Sequence, residues 1–544
     1  MESKGNRSYN IMQPLILAST IAIGMMLGYK LNDKPEIDLI SAHSYPNDSI
    51  YQTGRVEELI RFIDNRYVDK INADELTNAA VEAIFSKLDP HSVYMTPQEV
   101  EDNNVSMNGK YYGIGIENYF IDDTINVSNV FNQSPAAKAG LKMFDKIVSI
   151  DGIGVAGQKM DYDQIRKMMH KELGQSLELG VMREGQPLKF KLNIEEIPLK
   201  SVKYDYLPDI QTEVIKIDRF AAHTYSEFMA AIETHFKDNK AKHLIIDLRN
   251  NPGGYLPEVV NILCQIFEEK ERLLFYTEGR NNKKNEYKTT GKRFFNINKV
   301  VVLIDENSAS ASEILAGAIQ DWDRGLIIGR RSFGKGLVQE QYALNNGGAI
   351  RLTVSRYYTP SGRSIQRNYT NASQYGNDLT ARYVHGDLFY KDSTLVKDTE
   401  VFQTKILNRK VMGSGGITPD IFIGLPEQDR DPAYYEIKSL IPEFAFTYLS
   451  HHTELVKEAG RPQVDDKVEK AFKKFISEKS ELFDSVKEHF HFEPFREEIA
   501  HEMWEVTLKA YNNDVVVRFY DKFMNAAISV IRTDKGPADY TIEK

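Results

Sequence analysis

Residues 299 to 344 read KVVVLIDENSASASEILAGAIQDWDRGLIIGRRSFGKGLVQEQYAL. The run 299–305 has strand length and β-branched composition, and it stops at a turn of small polar residues, 306–312. Glu313, Ile314, Leu315, Ala316, Ala318 and Ile319 then carry apolar spacing on helix-forming residues, and Ser312 before them is the expected N-cap. Strand, turn, helix and a second strand-like run, GLIIGRR, make an α/β unit. Ser310 falls at its strand-to-helix corner, where backbone N–H groups lack intrahelical partners and the helix dipole is positive. A serine hydroxyl there needs a base within hydrogen-bond reach to act as a nucleophile. Lys335, between Gly334 and Gly336 in a turn linking GLIIGRR to LVQEQYAL, is the candidate. It serves as a base only where burial lowers its pKa from about 10.4, and Phe333 and Leu337 are placed to do so. The same residues equally describe a capped helix and a hairpin tip.

The run SASASEILAGAIQD followed by GRRSFGKGLVQ resembles the signature of the carboxyl-terminal processing peptidases, or tail-specific proteases. The resemblance implies that Ser310 is the nucleophile and Lys335 the general base, a separation of 25 residues that fits the family, with Gln339 orienting the lysine. It also implies a multidomain α/β fold: a crotonase-like α/β serine-peptidase core interrupted by a PDZ domain, with helical N- and C-terminal regions. The turn Asn250-Asn251-Pro252-Gly253-Gly254, between the buried-strand pattern AKHLIIDLR and the helical YLPEVVNILCQIFEE, resembles the family's second active-site loop. Glycines let backbone N–H groups converge, as an oxyanion hole requires, and the amide of Gly253 or Gly254 paired with that of Ala311 is the expected pair. Asp247 and Arg249 read as structural ion partners.

At 544 residues the chain exceeds one hydrophobic core. Hydrophobic residues at 42% and charged residues at 27% exclude wholesale disorder. A net charge of −10 argues against a nucleic-acid partner, because phosphate binding wants a concentrated basic surface. The one cysteine, Cys264, rules out an intrachain disulfide and reads as a buried small hydrophobe. Residues 11–29 are an uncharged apolar segment of 19 residues behind Lys4 and Arg7. Its length spans a bilayer and its basic flank stays in the cytoplasm, so an uncleaved signal anchor is expected, with a cleaved signal peptide and a buried helix as alternatives. That reading gives a cytoplasmic stretch 1–10, a span 11–29 in the inner membrane, a linker 30–50 and an exported, periplasmic remainder.

Two helical patterns fill 51–107, and the motif Leu88 to Tyr94 within them, similar to one in the same family, reads as a helix-ending boundary without chemistry for His91. Residues 108–197 resemble a protease-associated PDZ domain through YYGIGIENY, SPAAKAGL and DKIVSIDG. In such a domain a peptide C-terminus adds to a sheet edge and backbone N–H groups hold its carboxylate, a role implied here for Tyr112, Gly113, Ile114, Gly115 and Ile116. The peptidase core occupies 198–425, with a tyrosine-containing insertion at 367–412 that reads as lid, hairpin or dimer contact. From 426 to 544 the pattern is helical, with Val464, Val468, Ala471, Phe472, Phe475, Ile476, Leu482, Phe483, Val486 and Phe490 broadly on one face. That face reads as intramolecular core, with a homodimer contact as the alternative. His451, His452, His489 and His491 carry no defensible ligand spacing.

The expected function is a membrane-anchored serine endopeptidase that cleaves exported or envelope proteins and recruits their free C-termini through the PDZ domain. The implied chemistry needs no metal and no organic cofactor. A non-catalytic, tail-binding envelope scaffold or chaperone is the alternative. A crotonase-like core also raises acyl-thioester chemistry, which suits an exported chain with a PDZ domain poorly.

Overall fold

The computed structural model describes residues 54–391, 400–456, 462–510, 521–533 and 535–540. The apolar segment 11–29 lies outside them. Among the described residues no helix is long and apolar enough to cross a membrane. The chain divides into two compact units, Met1–Ala80 and Val81–Lys544. In the first, the described part is the helix Arg55–Arg66, whose first turn carries Glu57 and Glu58 and whose last carries Arg66, and most of the helix Ala73–Phe85.

The second unit is built on a six-stranded sheet. Val202–Leu207 runs antiparallel to Thr212–Ile217, and His243–Asp247, Val300–Ile304, Leu326–Gly329 and Ile421–Phe422 follow in parallel. Val300 to Ile304 are buried throughout, as expected for a parallel strand covered on both faces. Helices Thr224–Phe236, Leu256–Ile266 and Ala311–Asp321 bury Phe228, Ile262 and Leu315 against one face. The helix Lys522–Arg532 covers the other, packing Met524, Ala527 and Val530 on Val214, Ile245, Val301 and Ile328. The sequence boundary at 425 therefore cuts too early, because the chain leaves the core and returns to complete it. Lys299 Nζ fastens the returning helix by donating to the carbonyl oxygens of Val530, Ile531 and Thr533.

Leu337–Ala343 does not form a hairpin with Leu326–Gly329. It pairs with Ala349–Tyr358 in a second sheet that also holds Val93–Met95, Leu273–Glu278 and Asn285–Lys288. Lys335 thus sits on a crossing between two sheets, and the region read as helical before 107 contributes a strand to one of them.

The PDZ domain is a separate sheet, from the edge strand Ile116–Ile121 through Thr124–Val130, Lys146–Ile150 and Ser176–Arg183 to Gln186–Asn193. It carries the helix Tyr162–Met169 and has its own core around Ile125, Ile147, Ile165 and Leu179. A two-stranded ribbon, Lys110–Gly113 against Glu195–Pro198, connects it to the rest of the unit. The C-terminal helices bury Val464, Val468, Phe472, Ile476, Phe483 and Val486, and Phe490 packs beside them. Their cluster also receives Tyr119, Ile121, Met143 and Phe144 of the PDZ domain, and Lys509 donates to Glu117 at 2.8 Å. Leu482 stays exposed. Cys264 is buried and free.

Candidate active site

Three adjacent parallel strands end on the same side of the central sheet, and each opens into one segment of the site. Asp247 leads into the turn 250–254, Ile304 into the corner at Ser310, and Gly329 into the segment carrying Lys335. The carboxyl ends of parallel strands are where an α/β sheet leaves a crevice, so topology alone brings the three together.

Ser310, not Ser312, is the N-cap of Ala311–Asp321, with φ 55° and ψ −114°. Ser312 lies inside the helix and donates to the Asn251 carbonyl at 3.0 Å. A non-glycine residue in that conformation is strained and persists only where its surroundings hold it. Ala309 N–H donates to Asn251 O at 3.0 Å, and a Cβ on Gly253 would lie 2.8 Å from the Ser310 Cβ and 3.0 Å from the Ala311 nitrogen. Only glycine permits this approach. The Gly253 N–H is committed to Asn251 Oδ1 at 2.8 Å. Among the described residues the N–H groups of Gly254 and Ala311 have no protein acceptor, which narrows the expected oxyanion pair to these two. Asp247 and Arg249 form an ion pair that extends to Asp521 at the start of the returning helix.

Lys335 Nζ donates to Gln339 Oε1 at 3.0 Å, and Gln339 Nε2 donates to the carbonyl of His91. Burial first, then the Arg351 charge, lowers the Lys335 pKa from its ordinary value, against the pull of Glu313 and Asp89. Leu337 is buried beside it, and Phe333, Tyr375 and the stacked Arg367 guanidinium enclose the segment. The hydroxyl of the buried Tyr357 donates to the Lys335 carbonyl and lies beside the Ser310 side chain. No hydrogen bond joins Ser310 Oγ to Lys335 Nζ among the described residues; Lys335 Nζ rests on Gln339 instead.

Glu313 ties the two segments together. Its buried carboxylate accepts from the Ser310 N–H at 2.8 Å and the Lys335 N–H at 2.8 Å on one oxygen. On the other it accepts from Ser332 Oγ at 2.5 Å and the Gly334 N–H at 2.7 Å. Burial raises its pKa, and these four donors oppose the shift. Among the described residues no group of three or more His, Cys, Asp or Glu is placed to hold a metal ion.

In the PDZ domain, Tyr112 and Gly113 pair with Glu196 and Glu195 and belong to the connecting ribbon, so the carboxylate loop proper shortens to Ile114, Gly115 and Ile116. Ile114 is buried, and Gly115 has φ 79° with its Cα pressed on Ser134, where a Cβ would lie 2.3 Å from the Ser134 Cβ.

The model of peptidase family S41 matches residues 211–372 and that of the PDZ domain matches 112–194. The chain is 33% identical over 342 residues to the carboxy-terminal processing protease CtpB of Bacillus subtilis, covering 62% of this chain and 70% of that one. It is 35% identical over 323 residues to a carboxy-terminal-processing protease of Bartonella bacilliformis, covering 58% and 73%. The chain belongs to peptidase family S41. It is a carboxy-terminal processing serine protease with a PDZ domain. Among solved structures, the photosystem II D1 C-terminal processing protease matches 57% of this chain and 89% of its own at 25% identity, with a TM-score of 0.33.

Within this S41 peptidase, several residues at the site carry roles that sequence reading misses. Glu313 reads as a helix former, and nothing local announces that it reaches two loops. The motif 88–94 reads as a boundary, yet His91 supplies the acceptor for Gln339. Asp89 holds that motif in place by accepting from the His91 and Ser92 N–H groups and from Thr353 Oγ1. The His91 imidazole, with its pKa lowered to about 4 by burial and by Lys335, is neutral at pH 7. The insertion 367–412 supports the lysine segment: Arg382 donates to the carbonyl oxygens of Arg331 and Ser332 and pairs with Asp378.

Proposed function

We propose that this protease cleaves peptide bonds with a Ser310–Lys335 dyad and that its PDZ domain recruits substrates by their free C-termini. The observation that carries the dyad is the Glu313 carboxylate, which fixes the Ser310 and Lys335 backbones on one oxygen. Neutral Lys335 accepts the Ser310 proton as the oxygen attacks the scissile carbonyl. The tetrahedral oxyanion takes the N–H groups of Ala311 and Gly254, each worth roughly 3–4 kcal/mol. The Lys335 ammonium then returns its proton to the leaving amine, and water repeats the sequence on the acyl-enzyme. Before this, Lys335 turns from Gln339 far enough to meet the Ser310 hydroxyl. Arrival of a substrate tail at the PDZ domain is the event that aligns them.

Residues 11–29 anchor the enzyme in the inner membrane, which places the catalytic part in the periplasm with exported or envelope proteins as substrates. The length, lack of charge and basic flank of that segment support the assignment. Protease accessibility of the catalytic part in spheroplasts tests it; protection inside the cell overturns it.

The dyad is tested by incubating the chain from residue 31 with an unfolded protein carrying a free or an amidated C-terminus. Cleavage is expected from the parent and from neither Ser310→Ala nor Lys335→Ala, with the amidated substrate cut more slowly. Activity surviving Ser310→Ala overturns the dyad, equal rates on both substrates overturn tail recruitment, and no cleavage by the parent favours the tail-binding scaffold.

A further inference from the structure

The PDZ loop that would take a substrate's carboxylate already faces a side chain of its own chain. Tyr111 lies on the connecting ribbon, paired with Ile197, and its ring lies over Gly113 at the ribbon's end, next to the loop: a Cβ on Gly113 would stand 2.5 Å from its Cε2 and 3.0 Å from its Cδ2. Its hydroxyl lies beside the backbone N–H groups of Gly115 and Ile116, and burial pushes the phenol pKa up to about 12. Ile197 closes the other side, 3.3 Å from where a Gly115 Cβ would be. Next to the ring, a cavity of about 230 Å³ opens between the helix Pro97–Asn108 and Lys110, Tyr111 and Tyr112 of the ribbon.

We propose that Tyr111 is the resident occupant of the carboxylate loop, its hydroxyl standing where a substrate's terminal carboxylate binds, so that a free C-terminus must displace it and thereby moves the ribbon. The chemistry favours exchange. A carboxylate accepts both N–H groups with full charge, whereas a neutral phenol oxygen accepts them weakly, and charge-assisted bonds are about twice as strong. The cavity gives the displaced ring a place to go. Tyr111 is on the strand that enters the domain, so its movement acts directly on the connection between the tail-binding and peptidase sheets. The ligand class is a polypeptide C-terminus.

This inference rests on the reading that the domain takes C-termini, and the test separates the two. Binding of fluorescent decapeptides with Val, Leu, Ile, Ala or Phe at the C-terminus, each as free acid and as amide, is measured by anisotropy. The protein is the full chain carrying Ser310→Ala, so that no peptide is consumed. Tyr111→Phe is expected to tighten the free acids about five-fold, the loss of one competing hydrogen bond, and to leave the amides unchanged. Gly113→Ala, which pushes the ring away without touching the hydroxyl, is expected to act in the same direction. Without peptide, amide hydrogen exchange at Gly115 and Ile116 is expected to speed up in Tyr111→Phe. Unchanged affinity and exchange with the acid preference intact overturn the role of Tyr111 alone. Weaker binding of the acids overturns it as well, since the hydroxyl would then be part of the ligand site. Absence of any acid-over-amide preference in all three proteins overturns C-terminus recognition itself.

Discussion

The turn 250–254 and the loop 113–116 use the same device, glycines that let backbone N–H groups face a single oxygen atom, and hold it in opposite conditions. In the first, the Asn251 side chain takes the Gly253 N–H and anchors on the Ile217 carbonyl, which leaves Gly254 and Ala311 open. In the second, the Tyr111 hydroxyl lies beside the N–H groups as their proposed occupant. Stabilising a transition-state oxyanion requires donors that need no rearrangement at the moment of reaction. Recognising a tail tolerates a covered site, because ligand binding supplies the free energy for exchange. The half of the site that must be rigid is built in advance, and the half that decides when to act is occupied.

The sharpest break of this contrast is at Glu313. Glu313→Gln leaves one carbonyl oxygen for four donors and turns an amide N–H₂ toward two of them, at about 1–3 kcal/mol for each buried N–H left unpaired. A loss of kcat/KM on the order of 10³ together with a lower unfolding midpoint is expected, read by peptide hydrolysis and calorimetry. Gly254→Ala attacks the open turn itself: a Cβ would lie 2.2 Å from the Phe220 carbonyl oxygen in a backbone with φ 143°. Its kcat should fall about 10²-fold or more while tail binding by the PDZ domain is retained.

Gln339→Ala removes the resting partner of Lys335 and, with it, that partner's tie to the His91 carbonyl. About a ten-fold loss in kcat with little change in KM is expected, since the residue orients a base and does not hold substrate. Arg351→Gln has the smallest effect; it removes the charge that acts on Lys335, along with a hydrogen bond to Asn103. The folded pKa of Lys335 is lowered, so the neutral base accumulates, and activity rises, as pH climbs through a value below 10.5. Removing the Arg351 charge raises that pKa. The rising limb of the pH–rate profile should therefore move to higher pH, with activity falling at neutral pH and converging with wild type in alkali.

Ser310 and Lys335 stand out in the sequence through the family signature around them, because a serine at the end of a β-branched run and a lysine between glycines by themselves describe a capped helix and a hairpin tip equally well. Glu313 does not, because its four donors come from two segments some twenty residues apart and its identity as a helix former hides the reach. The hairpin reading of the lysine turn failed because both flanking strands have the right composition, while which sheet each joins is decided by partners near residues 304 and 355. The same distance hid the return of Lys522–Arg532, whose apolar face suits any core. Tyr111 was read only as part of a glycine-rich strand, since its relation to the loop depends on a ribbon closed by residues more than eighty positions downstream.

That ribbon has a consequence for how the chain has been put together. Gly113 and Glu195 face each other across it, so everything between them enters and leaves through one doorway, and no strand of the peptidase sheet depends on what the inserted segment contains. Such a junction suits the exchange of one tail-reading cassette for another while the hydrolytic machinery keeps its register, provided that the face meeting the C-terminal helices is kept. The residue that interprets the cassette's state, Tyr111, stays behind on the doorframe.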